Sequence, residues 1–164
     1  MRFFDDIHSM GDMLFALGRQ GQASYVLVMT ARIETLLVDV MCARVPKLEK
    51  KRDHFGRYRP FSRFATKIDL AHLTDVIDDD LERDLDTLRE IRNAFAHPAP
   101  DGDPHFGVAE IRALLSKFNG YNSEMDPYAY FGRKVDNILD ALKARFPTEN
   151  ELLSAALNNT QLIT

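Results

Sequence analysis

The chain has 164 residues, one domain by length, and can bury about 70% of the surface its unfolded form exposes. Hydrophobic residues make up 45% and charged residues 28%, the composition of an ordinary globular chain rather than a disordered one. With 21 Lys+Arg against 25 Asp+Glu the formal net charge is −4, which excludes a wholesale basic nucleic-acid binder and leaves room only for a local basic patch. The single Cys42 excludes an internal disulfide and a cysteine-built zinc cluster, and fits a reducing compartment. No apolar run approaches the roughly 20 residues that span a bilayer, and the first residues lack signal-peptide anatomy. A cytoplasmic protein without metal, cofactor or membrane contact is expected.

Apolar residues recur at three- and four-residue spacing along the chain, and no segment alternates as a half-buried strand does, so the fold is expected to be all-α. A first helix is expected over Phe3 to Leu17, broken by Gly18 and Gly21, and a second from Gln22 to Arg44, before Pro46. Residues 46–60 read as a polar, basic connection. A third helix follows Pro60, from Phe61 to Thr74. Asp78-Asp79-Asp80 opens a fourth, since carboxylates favour the positive end of a helix dipole, and Pro98 ends it near His97. Ala99 to Pro104 is a turn-rich loop. A fifth helix covers Val108 to Phe118, and a sixth begins at Pro127 and ends near Phe146. Thr148 and Glu151 have capping-box spacing for a seventh, and residues 158–164 read as a frayed tail after a single domain of residues 1–157. The second and fourth helices are expected to form a long antiparallel pair. The apolar girth of the second predicts a homodimer.

Charge is segregated. Residues 44–63 hold eight Lys/Arg and two acids, whereas residues 69–90 hold nine acids and two basic residues. Charge runs are usually solvated faces. Two further readings are complementary charge, within or between subunits, and a phosphate-contacting patch of Lys47, Lys50, Lys51, Arg52, Arg57 and Arg59. His54, Phe55, Tyr58 and Phe61 are interleaved there, and aromatic rings can stack on unpaired bases.

Two charged residues interrupt apolar faces. Arg92 falls among Leu81, Leu85, Leu88 and Phe95, and Glu34 among Leu27, Leu37, Val38 and Met41. An unpaired buried guanidinium is costly, so Arg92 is expected to be largely buried and bonded to Glu34 or to nearby carbonyls. Asp86, Glu90, Asn93 and His97 form a separate polar stripe, about 140° around the helix from Arg92.

The run Leu88-Arg89-Glu90-Ile91-Arg92-Asn93-Ala94-Phe95-Ala96-His97 resembles the Arg-x4-His signature of the HEPN superfamily, including the Asn after the Arg. Pro60 to Ala71 resembles the third helix of the mannitol repressor family, whose long second helix carries an acid where Glu34 stands here. The resemblance covers roughly residues 22–118 and implies a HEPN-like bundle of six or seven helices. It also implies two functions. In metal-independent HEPN endoribonucleases, His97 would be a general acid/base for attack by the RNA 2′-hydroxyl, Arg92 would stabilise phosphate charge, and Asn93 would orient the site. Proteins similar to the mannitol repressor act instead as regulators through a protein partner. No basic recognition helix is legible, so direct DNA reading is not expected. Asp84, Asp86, Glu90, Asp101 and Asp103 surround the motif with negative charge. The regulator is therefore the first expectation, and a toxin- or defence-type ribonuclease acting on RNA the second.

Overall fold

A computed structural model describes residues 10–97 and 104–160. Among them are seven α-helices, one turn of 3-10 helix and no strand. α1 (Met10–Arg44) is followed by α2 (Pro46–Glu49), the 3-10 turn (Arg52–Phe55), α3 (Phe64–Leu73), α4 (Asp79–Ala96), α5 (Ala109–Leu115), α6 (Pro127–Lys143) and α7 (Glu149–Thr160). The expected helix start at Phe3, the loop residues 99–103 and the tail beyond Thr160 lie outside the described residues. α7 itself continues helically through Thr160, beyond the expected start of the tail at residue 158.

The first two expected helices are one. α1 runs through Gly18 and Gly21 without a break, 35 residues in all. Glycine weakens a helix by about 1 kcal/mol relative to alanine but does not terminate it unless the chain turns there. Both glycines are solvent-exposed, and a Cβ at either would meet nothing within 4 Å. The helix stops instead where Pro46 follows Val45.

Elsewhere the local signals decide the ends. The Asp78 side chain accepts the Leu81 N–H at 2.9 Å and caps α4, whose first turn also carries Asp79, Asp80 and Glu82. Asp126 caps α6 in the same way through Ala129 N–H (2.9 Å), with Pro127 in the first turn. Thr148 and Glu151 form the reciprocal box, the Thr148 N–H donating to Glu151 Oε2 at 2.7 Å and the Glu151 N–H to Thr148 Oγ1 at 3.3 Å.

α1 and α4 pack as the expected antiparallel pair, with α6 alongside, parallel to α1. Ion pairs mark one end of the bundle. Arg44 at the end of α1 donates to the Arg145 carbonyl and to Glu151, and Arg145, just after α6, pairs with Asp78 at the start of α4. Aromatic rings close the other end. Phe106 stacks at 5.1 Å on both Phe95 of α4 and Phe131 of α6, and its N–H donates to Gln22 Oε1 of α1 at 3.0 Å. The core between the ends is aliphatic, with Ile33, Leu37, Met41, Ile68, Leu85, Leu88, Ile91, Ile138 and Leu142 fully buried.

Because Gly18 and Gly21 are helical with open space at Cβ, Gly18→Ala and Gly21→Ala should each stabilise the protein by about 0.5–1 kcal/mol. A chemical-denaturation midpoint that falls in either variant would show that α1 is broken there.

Candidate functional site

Glu34 and Arg92 do not meet. Glu34 accepts instead from Lys67 of α3, Nζ to Oε1 at 2.6 Å, and Lys67 is only 7% exposed. Arg92 is half-buried rather than buried, and its Nη1 donates to Oδ1 of its own neighbour Asn93 at 3.1 Å. Helix phase alone does not explain the difference. At about 100° per residue Arg92 falls between Leu81 and Leu85, both buried, on the inward side of α4. It differs from them in lying about one turn from the helix end at Ala96, where its neighbours Asn93 and Ala94 are also only half-buried.

The partner that Glu34 does take was legible by the same logic. Phe64, Lys67, Ile68 and Ala71 recur at three- and four-residue spacing and are all buried, so Lys67 interrupts an apolar stripe as Arg92 was expected to. Lys134 repeats the arrangement in α6, among Tyr130, Phe131, Val135 and Ile138. Its Nζ donates to Asp84 Oδ2 at 2.7 Å and to the Asn119 carbonyl at 3.0 Å, and lies 5.2 Å from the Phe118 ring centre. The other Asp84 oxygen accepts the Asn119 N–H at 3.0 Å. Asp84 is thus committed to holding the turn after α5 against α4.

The motif residues sit at the aromatic end of the bundle. Phe95 points into the core, while His97 caps the helix in an extended conformation and is exposed. The His97 N–H donates to the Asn93 carbonyl as part of the helix backbone, whereas Arg92 bonds the Asn93 side chain. Along the same helix Asp86 pairs with Arg89 at 2.9 Å and Glu90 with Lys117 at 2.5 Å. A shallow groove of about 580 Å³ runs here, lined by Asp79, Glu82, Arg83, Asp86, Thr87, Glu90 and Lys117. Its acids outnumber its cations, and Lys117 is already paired.

Where α3 meets the start of α4, His72 lies between two carboxylates. Nε2 is 2.8 Å from Asp79 Oδ1 and Nδ1 is 3.3 Å from Glu82 Oε1. The Asp79 hydrogen bond, helped by the charges of Glu82 and Asp75, raises the imidazole pKa above its usual value against a smaller opposing effect of burial. These three side chains offer three donor atoms within 4.8 Å of one another, the only such His/Cys/acid group among the described residues. Each ring nitrogen faces an acid, so the arrangement suits a doubly protonated ring, and a cation would have to displace a proton to enter.

The residues of the basic segment are exposed, but they are not equivalent. Arg52 bridges Asp39 (2.8 Å) and Glu49 (2.9 Å), and these two hydrogen bonds keep its guanidinium protonated. It therefore belongs to the structure of the connection, not to a free phosphate patch. Lys47, Lys50, Lys51, Arg57 and Arg59 have no carboxylate partner among the described residues. The four interleaved rings also separate: Phe55 is buried, His54 and Phe61 are partly covered, and Tyr58 stands 87% exposed. The acids of residues 69–90 that form ion pairs meet His72, Arg83, Arg89, Lys117, Lys134 or Arg145, so the two oppositely charged runs do not form salt bridges with each other among the described residues.

No family model matches the chain, and no curated protein or solved structure matches it. Among the described residues no helix is long and apolar enough to cross a membrane.

A raised histidine pKa stabilises the fold fully below the unfolded value of about 6.5, and that contribution is lost as pH rises through the folded value. The melting-temperature advantage of wild type over His72→Gln should therefore be larger near pH 5.5 than near pH 8.5. An advantage that grows with pH would reverse the assignment of charge.

Proposed function

We propose that the chain is a regulatory module resembling the mannitol repressor family, acting through a protein partner and not by chemistry on RNA or by reading DNA. The observation that carries this reading is the acidic groove along α4, running toward the Arg92–His97 segment with Lys117 already engaged by Glu90. Its four acids are themselves paired, Asp86 with Arg89, Glu90 with Lys117, and Asp79 and Glu82 sharing the one ring of His72. The lining still carries four carboxylates against Arg83 and Lys117, which disfavours a polyanion and suits a cationic segment of a partner protein. The same reading takes the chain as a homodimer, because α1 leaves Leu27 and, at 65% exposure, Val28 facing outward.

One observation favours the ribonuclease. Glu34 is engaged by Lys67, so Arg92 is not sequestered by it, and Arg92, Asn93 and the exposed His97 follow one another at the end of one helix. That trio has the residue types for metal-independent attack by a 2′-hydroxyl, with His97 moving the proton and Arg92 opposite the phosphate.

Incubation with total cellular RNA in a chelator separates the two. The regulatory reading expects RNA to stay intact with wild type, and growth on overexpression to match that of His97→Ala. RNA cleavage by wild type that disappears in both His97→Ala and Arg92→Ala, while both variants melt like wild type, would replace this reading with the ribonuclease.

A further inference from the structure

The segment between α1 and α3 is built as a display. α2 and the 3-10 turn are knitted by short-range hydrogen bonds, Lys50 N–H to the Pro46 carbonyl and His54 N–H to the Lys51 carbonyl. The Phe61 N–H then donates to the His54 carbonyl at 3.0 Å and closes residues 55–60 into a compact loop. Buried Phe55, with Phe61 at 5.5 Å, anchors its base. Inside it the Arg59 N–H donates to the Gly56 carbonyl, which makes Gly56 to Arg59 a turn with Arg57 and Tyr58 at its tip.

Tyr58 is not explained by packing or by turn chemistry. Its φ is +63°, at a turn position where glycine or asparagine is the ordinary choice, and a bulky side chain there is an outlier. Its ring is 87% exposed and touches the guanidinium of Arg57, 5.0 Å from the ring centre. In the same segment the cations outnumber the acids, and two of the neighbouring acids are already engaged. Lys47, Lys50, Lys51, Arg57, Arg59 and Arg63 have no carboxylate partner among the described residues. Asp39 and Glu49 are both held by Arg52, and Asp53 faces His54 at 4.0 Å. On a chain of net charge −4, six cations without a carboxylate partner fall within residues 47–63, the same stretch that carries this exposed ring.

We propose that this loop is a binding site for single-stranded nucleic acid, in which a base stacks on Tyr58 and the six free cations meet the phosphates on either side. Cations alone would serve an acidic protein equally well; the ring, held outward at a conformational cost, is what a base requires and a carboxylate does not. A duplex is disfavoured because the cations lie on turns and on a four-residue helix, with no element of a length to enter a groove. Stacking and phosphate contact read neither sugar nor sequence, so RNA and DNA strands should both bind. The inference does not depend on the role of Arg92 and His97. Lys47 to Lys51 follow the end of α1, at the ion-paired end of the bundle, and His97 is at the far end of α4, about 27 Å along an 18-residue helix.

Fluorescence anisotropy with labelled oligo(U) and oligo(dT) tests it on the full chain. Wild type should bind both, with log affinity falling against log salt at a slope of up to about −4 for six phosphates. Tyr58→Ala should weaken binding roughly tenfold and Tyr58→Phe should restore it, because the face of the ring carries the stack. Lys50→Glu with Lys51→Glu should weaken binding and flatten the slope. All these changes are at exposed positions, and melting curves matching wild type would confirm that the variants are folded. No binding at about 50 mM salt overturns the proposal, since phosphate contacts are strongest there. Equal affinity of Tyr58→Ala and wild type, with polyglutamate displacing the oligonucleotide as readily as unlabelled oligo(U), overturns it in favour of an acidic protein partner.

Discussion

The arrangement of the bundle depends on the fate of one carboxylate. Glu34 lies on α1, whose flanking positions Ile33, Leu37, Val38 and Met41 are all in the core, and a carboxylate there needs a cation at hydrogen-bond distance. Lys67 supplies it at 2.6 Å, and to do so α3 must lie against α1 with its own apolar stripe turned inward. The pair is not a surface salt bridge of negligible worth. The Lys67 side chain is 9% exposed, so removing either partner would strand a charge largely away from water. Since Glu34 is satisfied there, Arg92 has no buried acid to reach and settles at the margin of α4 beside Asn93.

A second buried cation does comparable work on the opposite side. Lys134 holds Asp84 and the turn at Asn119, tying α6 and the end of α5 to α4. The two lysines thus register α3 on one side and α6 on the other, while aliphatic burial supplies the bulk of the driving force. The more exposed pairs, Arg44 with Glu151 among them, trim the ends and are expected to contribute little each. The consequence for function is a molecule with two chemically distinct surfaces. One is acidic and leads along α4 toward His97; the other is basic, aromatic and confined to the connection between α1 and α3.

Much of this was legible in the sequence, and the exceptions have physical reasons. The α4 boundaries follow from Asp78 and Pro98, and the start of α7 from Thr148 and Glu151, because each is a local hydrogen-bonding or steric rule that tertiary packing does not override. Gly18 and Gly21 mislead, since an exposed glycine in a long helix costs little and nothing else in that stretch ends the helix. The Glu34–Arg92 pairing fails for a different reason. Phase places Arg92 between Leu81 and Leu85, but spacing carries no information on how far along the helix the core extends, and Arg92 lies about one turn from the end of α4. Lys67 is legible as a charge on the apolar stripe of Phe64, Ile68 and Ala71, in the same way as Arg92 on its own helix. Of the basic segment, sequence shows the charge but not which cations are spent: Arg52 is tied by Asp39, thirteen residues earlier, and that contact exists only once the connection folds back on α1.

The most direct test is a pair of double-mutant cycles read by chemical denaturation, one combining Glu34→Gln with Lys67→Met and the other Glu34→Gln with Arg92→Met. Residues in direct contact couple by about 0.5–3 kcal/mol, whereas independent sites add to within about 0.5 kcal/mol. The structure predicts a coupling of about 2 kcal/mol for Glu34 with Lys67, at the upper part of that range because the pair is largely buried, and additivity for Glu34 with Arg92. Coupling of Glu34 to Arg92 with additivity toward Lys67 would contradict the account and return Arg92 to the interior.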